Sequence, residues 1–532
     1  MRILKKKSVT YMGKSIIQNL VSSITLRLGG LLVKKFFDLL GFDPVKKKTT
    51  VRTELMAGLV TFLSMAYILT VNPNQVFGSD SPYWASAFIA TALGAVIGTL
   101  LMAFVAKMPL AQASGMGLNS MLGGIIGGWG GYGKFTPGQA FMLVLISGLL
   151  FLLLSVIKIN GKNFRELAFD GMPESIRSAI SVGIGLFIAY IGCQNAGIIV
   201  FNGYTQVGFV DFTNWGDQIV NSFTEPFAAA KTATVAIVGL FLITILEKMQ
   251  VKGAIIVGIL GATAVGIPLG VTDLTVLAGN GAVSWKFWEN FANFFGGEYS
   301  VFGSFTDVFT EGLVPEGVSI FTIIMILITL CMIDMFDTMG TIVGCCCGNE
   351  VLSDKNGKPH NYSKIMLSDA VATCAGAMLG TSTVTTFVEA GAGVSAGGRT
   401  GLTALSTASL FFASMFALPL FAAIPSAAAA SALIYVGVLM MKHNVKNIDF
   451  TTHINATSAF LTIAIMVLSY SITKGIGVGL LSYTIMSMLS YLVELVIALI
   501  KKTEKPQWNV SGVAIIVSLL FAVYFFVPAS LF

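Results

Sequence analysis

Charge is scarce in this sequence. Asp, Glu, Lys and Arg make up 11 % of the 532 residues, apolar residues make up 55 %, and the mean hydropathy is +0.82. A soluble globule of this length needs more polar surface, so a polytopic membrane protein is expected. Histidine is scarcer still. His360, His443 and His453 fall in polar connections, which argues against a histidine metal site or proton relay inside the membrane. The six cysteines, Cys193, Cys331, Cys345, Cys346, Cys347 and Cys374, form no C-x-x-C pair and are read as buried thiols. The run Cys345, Cys346, Cys347 has no fourth ligand near it, so neither a metal nor a cofactor is expected. Also missing is a compact apolar segment with a small-x-small cleavage site. The basic head, with Lys5, Lys6, Lys7 and Lys46, Lys47, Lys48, is read as a cytoplasmic extension over 1–50, either solvated or lying on the membrane as an amphipathic helix.

What is present is a series of membrane-length apolar runs. Spans are expected near 54–76, 84–107, 110–129, 138–158, 176–200, 232–247 and 252–270, then near 318–346, 364–380, 382–398, 401–424, 425–441, 455–473 and 475–500. That is an all-α protein of about fourteen spans in two sets of seven, separated by an acidic loop near 271–316. A last apolar run, 510–531, crosses again or lies against the bundle. The net charge of +6 sits in short connections rather than on one face, so it reads as topology and not as a nucleic-acid surface. Arg177, Lys248, Lys252, Arg399, Lys442 and Lys446 all fall in cytoplasmic connections when the N-terminus is placed inside.

Two runs differ from the rest. The third, "PLAQASGMGLNSMLGGIIGGWGG", is crowded with glycine, and the tenth, "TSTVTTFVEAGAGVSAGG", opens with a β-branched polar stretch. Each reads as a short extended piece feeding a half-helix, and a matched pair of interrupted spans points to a transporter's binding site between inverted repeats. Extended backbone at that depth must pair with its counterpart or line a polar cavity.

The acids stand out for their cost, roughly 2.5–3.5 kcal/mol each at the bilayer centre. Asp337 lies one turn after Asp334 in "CMIDMFDTMGTIVG", so the two carboxylates can share a face. Asp337 is read as a substrate ligand or part of a proton-coupling pair, with Glu389 and Asp334 as the other proton-coupling candidates; the alternative makes Asp334 and Asp337 structural. Glu389 lies where the tenth run turns into its half-helix and can accept N–H donors from a heterocycle, or simply cap its own helix. Asn119 offers an amide to a ligand edge or to the opposite strand, while Thr386, Phe387 and Ala390 are candidates to line the site, Phe387 by stacking. A flat neutral molecule rich in donors and acceptors suits such a place.

"VRTELMAGLVTFLSMAYILTVNP", "QASGMGLN", "DMFDTMGTIVG" and "LGTSTVTTFVEAGAGVSAGGRTGLTA" resemble the AzgA-like adenine, guanine and hypoxanthine permease branch of the nucleobase–cation symporter family (NCS2-type, nucleobase–ascorbate transporter-like), over about Thr50 to Lys502. The resemblance implies two inverted repeats of seven spans, arranged as a core domain (51–158 and 317–424) and a gate domain (159–270 and 425–500), with 501–532 as a C-terminal extension. It also implies proton-coupled purine uptake, with Asp337, Glu389 and Asn119 at functional positions. Sodium in place of the proton, and a homodimer through the gate domain, stay open. The expected setting is the cell membrane. The rivals are an anion or uracil transporter of the same architecture and, from another class, an intramembrane aspartyl protease using Asp334 or Asp337.

Overall fold

The computed structural model describes residues 42, 46–128, 134–159, 162–163, 172–202, 205–218, 228–278, 283–346, 351–353, 359–502, 504, 506–508 and 510–526. Most of the basic head, with its expected surface helix, and Cys347 lie outside these residues. In lipid every backbone group must find its partner internally, and the apolar runs accordingly fold as helices. In order these are α1 (Val51–Met65), α2 (Ile68–Val76), α3 (Trp84–Leu101), α4 (Met116–Gly127), α5 (Pro137–Val156), α6 (Glu174–Asn195), α7 (Ala229–Lys248) and α8 (Ala254–Gly266). After the connecting loop come α9 (Ile320–Cys346), α10 (Tyr362–Leu379), α11 (Ala390–Ser395), α12 (Gly401–Ser414), α13 (Ser426–Asn444), α14 (His453–Leu468), α15 (Ile472–Lys501) and α16 (Gly512–Phe526).

Local signals set several of the ends. Thr136 and Gln139 form a reciprocal capping box at α5, with Pro137 at the first helical position. Thr50 accepts the Thr53 N–H at the start of α1, and Ser471 accepts that of Lys474 at α15. Among the described residues nine helical segments are long and apolar enough to cross a membrane, while α4, α8, α14 and α16 are apolar but shorter. The span expected over 176–200 ends at Asn195. Gly197, with φ 72°, turns the chain into a hairpin pairing Ile199–Asn202 with Gln206–Phe209. The last apolar run forms α16 packed on α15, where the Thr484 and Ser518 hydroxyls lie 2.7 Å apart.

The centre of the fold is a strand pair of three residues each. β1 (Gln112–Ser114) precedes α4, β2 (Val384–Thr386) precedes α11, and they pair antiparallel with Gln112 opposite Thr386 and Ser114 opposite Val384. Two flanking backbone bonds extend the ladder, Gly115 N–H to the Thr383 carbonyl (2.9 Å) and Phe387 N–H to that of Ala111 (3.1 Å). The pair satisfies backbone groups that neither segment could satisfy alone. Glycines let α3 and α10 approach it: a Cβ on Gly98 would lie 2.8 Å from Val384 Cγ1, and one on Gly376 would lie 2.7 Å from Val384 Cγ2.

Helix packing falls into two sets. One joins α1 to α5 with α9 to α12 around the strand pair; the other joins α6, α7 and α8 with α13, α14 and α15. The two sets meet along α4, α6, α9 and α15, across α2 and α13, and across α1 and α8.

Candidate functional site

Between the two sets lies a cavity of about 540 Å³. Its floor is the start of α4 at Met116 and Gly117, the stretch Thr386, Phe387, Val388 and Glu389 leading into α11, and Asp337 with Thr341 on α9. Ser178 and Ile184 of α6 and Val436 of α13 form the facing wall, and Arg177, His443 and Lys446 stand at the mouth. The volume is within the range of about 300–1,000 Å³ usual for small-molecule sites.

Glu389 is the N-cap residue of α11 and only 6 % exposed. Its Oε1 accepts the Tyr67 hydroxyl at 2.6 Å, while Oε2 has no protein partner. Tyr67 occupies the break between α1 and α2, where the helical ladder is interrupted ahead of Pro73. Asp337 is half-buried and accepts the Thr385 hydroxyl at 3.3 Å, so the side chain just inside the strand pair positions it. Two acids thus reach one cavity from two elements, each held by one hydroxyl donor.

The other expected residues sort by position. Thr386 and Phe387 line the cavity beside Glu389. Ala390 is buried as the first residue of α11 and does not line it. Asp334 does not share the cavity face with Asp337: it is buried and accepts the Thr373 hydroxyl of α10 at 3.3 Å. One turn of helix brings the two acids close in sequence, but the offset between them turns Asp334 toward α10. Asn119 is also fully buried and outside the lining, where its Oδ1 accepts the Ser382 hydroxyl and ties α4 to the segment entering β2.

Several residues escaped the sequence reading. Asp369 on α10 is fully buried and accepts both Gln112 Nε2 (3.1 Å) and Thr338 Oγ1 (2.8 Å), joining β1 to α9 and α10. As an acid within an apolar span, it meets the same criterion that singled out Asp337. Glu54, fully buried at the start of α1, accepts the Arg399 N–H (2.9 Å), the Thr400 N–H (3.2 Å) and the Thr403 hydroxyl (2.5 Å). It clamps the start of α12 onto α1. His443, expected in a polar connection, lies in the last turn of α13 because the helix runs past the apolar stretch to Asn444; it reaches the cavity mouth. Among the described residues no group of three or more His, Cys, Asp or Glu is arranged to hold a metal.

Apolar helices around a strand-paired polar site define a polytopic membrane transport fold. The transmembrane domain of the cyanobacterial bicarbonate transporter BicA has this fold, with a TM-score of 0.54 at 15 % identity over 80 % of this chain and 96 % of that one. The Permease family profile (Xan_ur_permease) matches residues 52–478. A putative permease of Methanocaldococcus jannaschii is 34 % identical over 92 % of this chain and 98 % of its own length. Adenine permease AdeQ of Escherichia coli is 34 % identical over 83 % of this chain and 88 % of its own. Guanine/hypoxanthine permease PbuO of Bacillus subtilis is 32 % identical over 91 % of this chain and 100 % of its own. The chain belongs to this permease family, in the adenine, guanine and hypoxanthine permease branch of the nucleobase–cation symporters. It is a transporter rather than an enzyme.

Proposed function

We propose that the protein imports purine nucleobases, hypoxanthine, guanine or adenine, across the cell membrane by proton symport. The observation that carries this reading is the meeting of Glu389 and Asp337 in one cavity between two separately packed sets of helices. Glu389 accepts the N–H edge of the base and carries the coupled proton, Asp337 makes a second polar contact or shares that proton, and Phe387 covers the ring. Thr386 lines the pocket beside them, while Asn119 and Ala390 act behind it by fixing the half-helices. Asp334, away from the cavity, has a structural part. An anion carrier would favour neutral or cationic groups beside the half-helix, whereas this chain puts a carboxylate there.

The set around the strand pair is the core domain (51–158 and 317–424) and the other set is the gate domain (159–270 and 425–500), each drawn equally from two inverted repeats of seven spans. Transport is an elevator-like displacement of core against gate. With the N-terminus inside, Arg177 and Lys446 are cytoplasmic, so the cavity opens inward. That its relatives include an adenine permease and a guanine/hypoxanthine permease supports this substrate class.

The test is uptake of radiolabelled hypoxanthine, guanine, adenine, xanthine and uracil into cells lacking their own nucleobase carriers, with and without a protonophore. Saturable purine uptake lost with the protonophore is expected; uptake of uracil alone, or of no base, overturns the reading. Asp337→Asn is expected to lower purine uptake by roughly 100-fold at equal membrane abundance, since the amide neither releases a proton nor offers two acceptors. Wild-type rates in that variant would remove Asp337 from the site. Tyr67→Phe deletes one hydrogen bond to a charged group, worth about 1.5–3 kcal/mol, and is expected to slow uptake by roughly tenfold. An unchanged initial rate would make Tyr67 mere packing.

A further inference from the structure

A second cavity, about 500 Å³ in volume, lies on the other side of the Glu389 segment. Ser64 of α1, Glu247 of α7, Cys345 of α9, Arg399 and His443 of α13 line it, together with Glu389 itself. Glu247 and His443 are exposed, whereas Cys345 and Glu389 are buried, so the cavity runs from surface charge down to the acid. None of Ser64, Glu247, Cys345 or Arg399 lines the first cavity; Glu389, Val388 and His443 line both.

Glu389 is therefore reached from two sides. We propose that the second cavity is a water-filled path through which Glu389 gives its proton to the solvent while the first cavity is occupied by substrate. This rests on Glu389 being the coupling acid. In the step, water in the cavity takes the proton from the Glu389 carboxyl, leaving a carboxylate and a hydronium ion. The hydronium then passes its proton to the Glu247 carboxylate, and from there to bulk water. The geometry favours this division. The Glu389 Oε1 is held by Tyr67 and Oε2 has no protein partner, so of the two lone-pair sites on Oε2 one can accept the base N–H from the first cavity and the other can hold or lose the proton toward the second. A base bound in the first cavity would cover that side of the carboxyl, and a single route would then force proton and base to leave in fixed order.

The charged and titratable groups around Glu389 and its two cavities are Tyr67 at the α1–α2 break, Asp337 and Cys345 on α9, Glu174 and Arg177 on α6, Arg399 beyond α11, Glu247 on α7 with Lys442 of α13 near it, and His443 and Lys446 at and just past the end of α13. Arg399 is committed elsewhere, since Nη1 donates to the carbonyls of Val394 (2.5 Å) and Gly398 (2.7 Å). The Cys345 thiol donates to the Val388 carbonyl at 3.5 Å. Glu247 remains as the acceptor nearest the surface that lines this cavity alone.

The experiment uses the full-length protein in proteoliposomes with radiolabelled hypoxanthine and reads two modes. Accumulation driven by a proton gradient requires Glu389 to release its proton in every cycle. Counterflow, the exchange of internal unlabelled for external labelled hypoxanthine, does not. Glu247→Gln removes the acceptor and Ser64→Leu fills the cavity with apolar bulk. Both are expected to lower driven accumulation by roughly tenfold, with counterflow within about twofold of wild type. Wild-type accumulation in both variants, or equal loss of both modes, overturns the path. Failure of the coupling reading itself looks different: the wild-type protein would accumulate hypoxanthine without regard to the proton gradient.

Discussion

Glu389→Gln is expected to abolish concentrative purine uptake, with initial rates down roughly 100-fold or more and protein abundance in the membrane unchanged. The substitution preserves size and one carbonyl oxygen, so Tyr67 keeps an acceptor and the start of α11 keeps its geometry. What changes is the other oxygen. Glu389 Oε2 has no protein partner and is replaced by an amide nitrogen, which turns two donors toward a ligand edge that itself donates. The variant also cannot carry a proton. Loss of uptake with a wild-type thermal transition would place the defect in the site; substantial uptake that still responds to the proton gradient would remove Glu389 from both of its roles.

Gly98→Leu is expected to prevent stable assembly rather than to slow transport. The glycine sits where α3 crosses the strand pair. A Cβ there would lie 2.8 Å from Val384 Cγ1 and 3.0 Å from both Gln112 Cβ and Oε1, so the new side chain has nowhere to go. Overpacking of this kind costs typically about 1–3 kcal/mol, and each ladder group forced apart adds about 1–3 kcal/mol for a polar group left unpaired. The readout is size-exclusion behaviour of the solubilised protein, where aggregation is expected. Gly98→Ala is the milder form, and Val384→Ala, which removes the opposing methyl groups, is expected to restore part of its stability in the double variant. A monodisperse Gly98→Leu protein with normal uptake would contradict the packing account.

Much of this architecture could be read from the chain. The apolar runs became helices because lipid leaves the backbone no other solution. The two interrupted runs declared themselves by glycine and by "TSTVTT", and they formed strands paired with each other. Asp337 and Glu389 were visible because burying a carboxylate is expensive. Asp369 was equally expensive and was overlooked beside them. Other features depend on distant partners and left no local mark. Tyr67 is one of 13 tyrosines, and only the break before Pro73 turns it toward Glu389. Asn119 has the chemistry of a ligand-binding amide, yet Ser382 sits against it. Glu54 reads as an ordinary first-turn acid, and its three donors come from Arg399, Thr400 and Thr403 at the start of α12.

The strand pair has a consequence for how the chain can be divided. β1 comes from the first half of the sequence and β2 from the second, and among the described residues each supplies the other's main-chain partners along the ladder. Severing the connection between α8 and α9 outside its short helical pieces leaves each fragment with strand groups that the other fragment matches. Two half-length polypeptides made together in one cell would therefore recognise each other by complementation, and either made alone would be cleared by quality control.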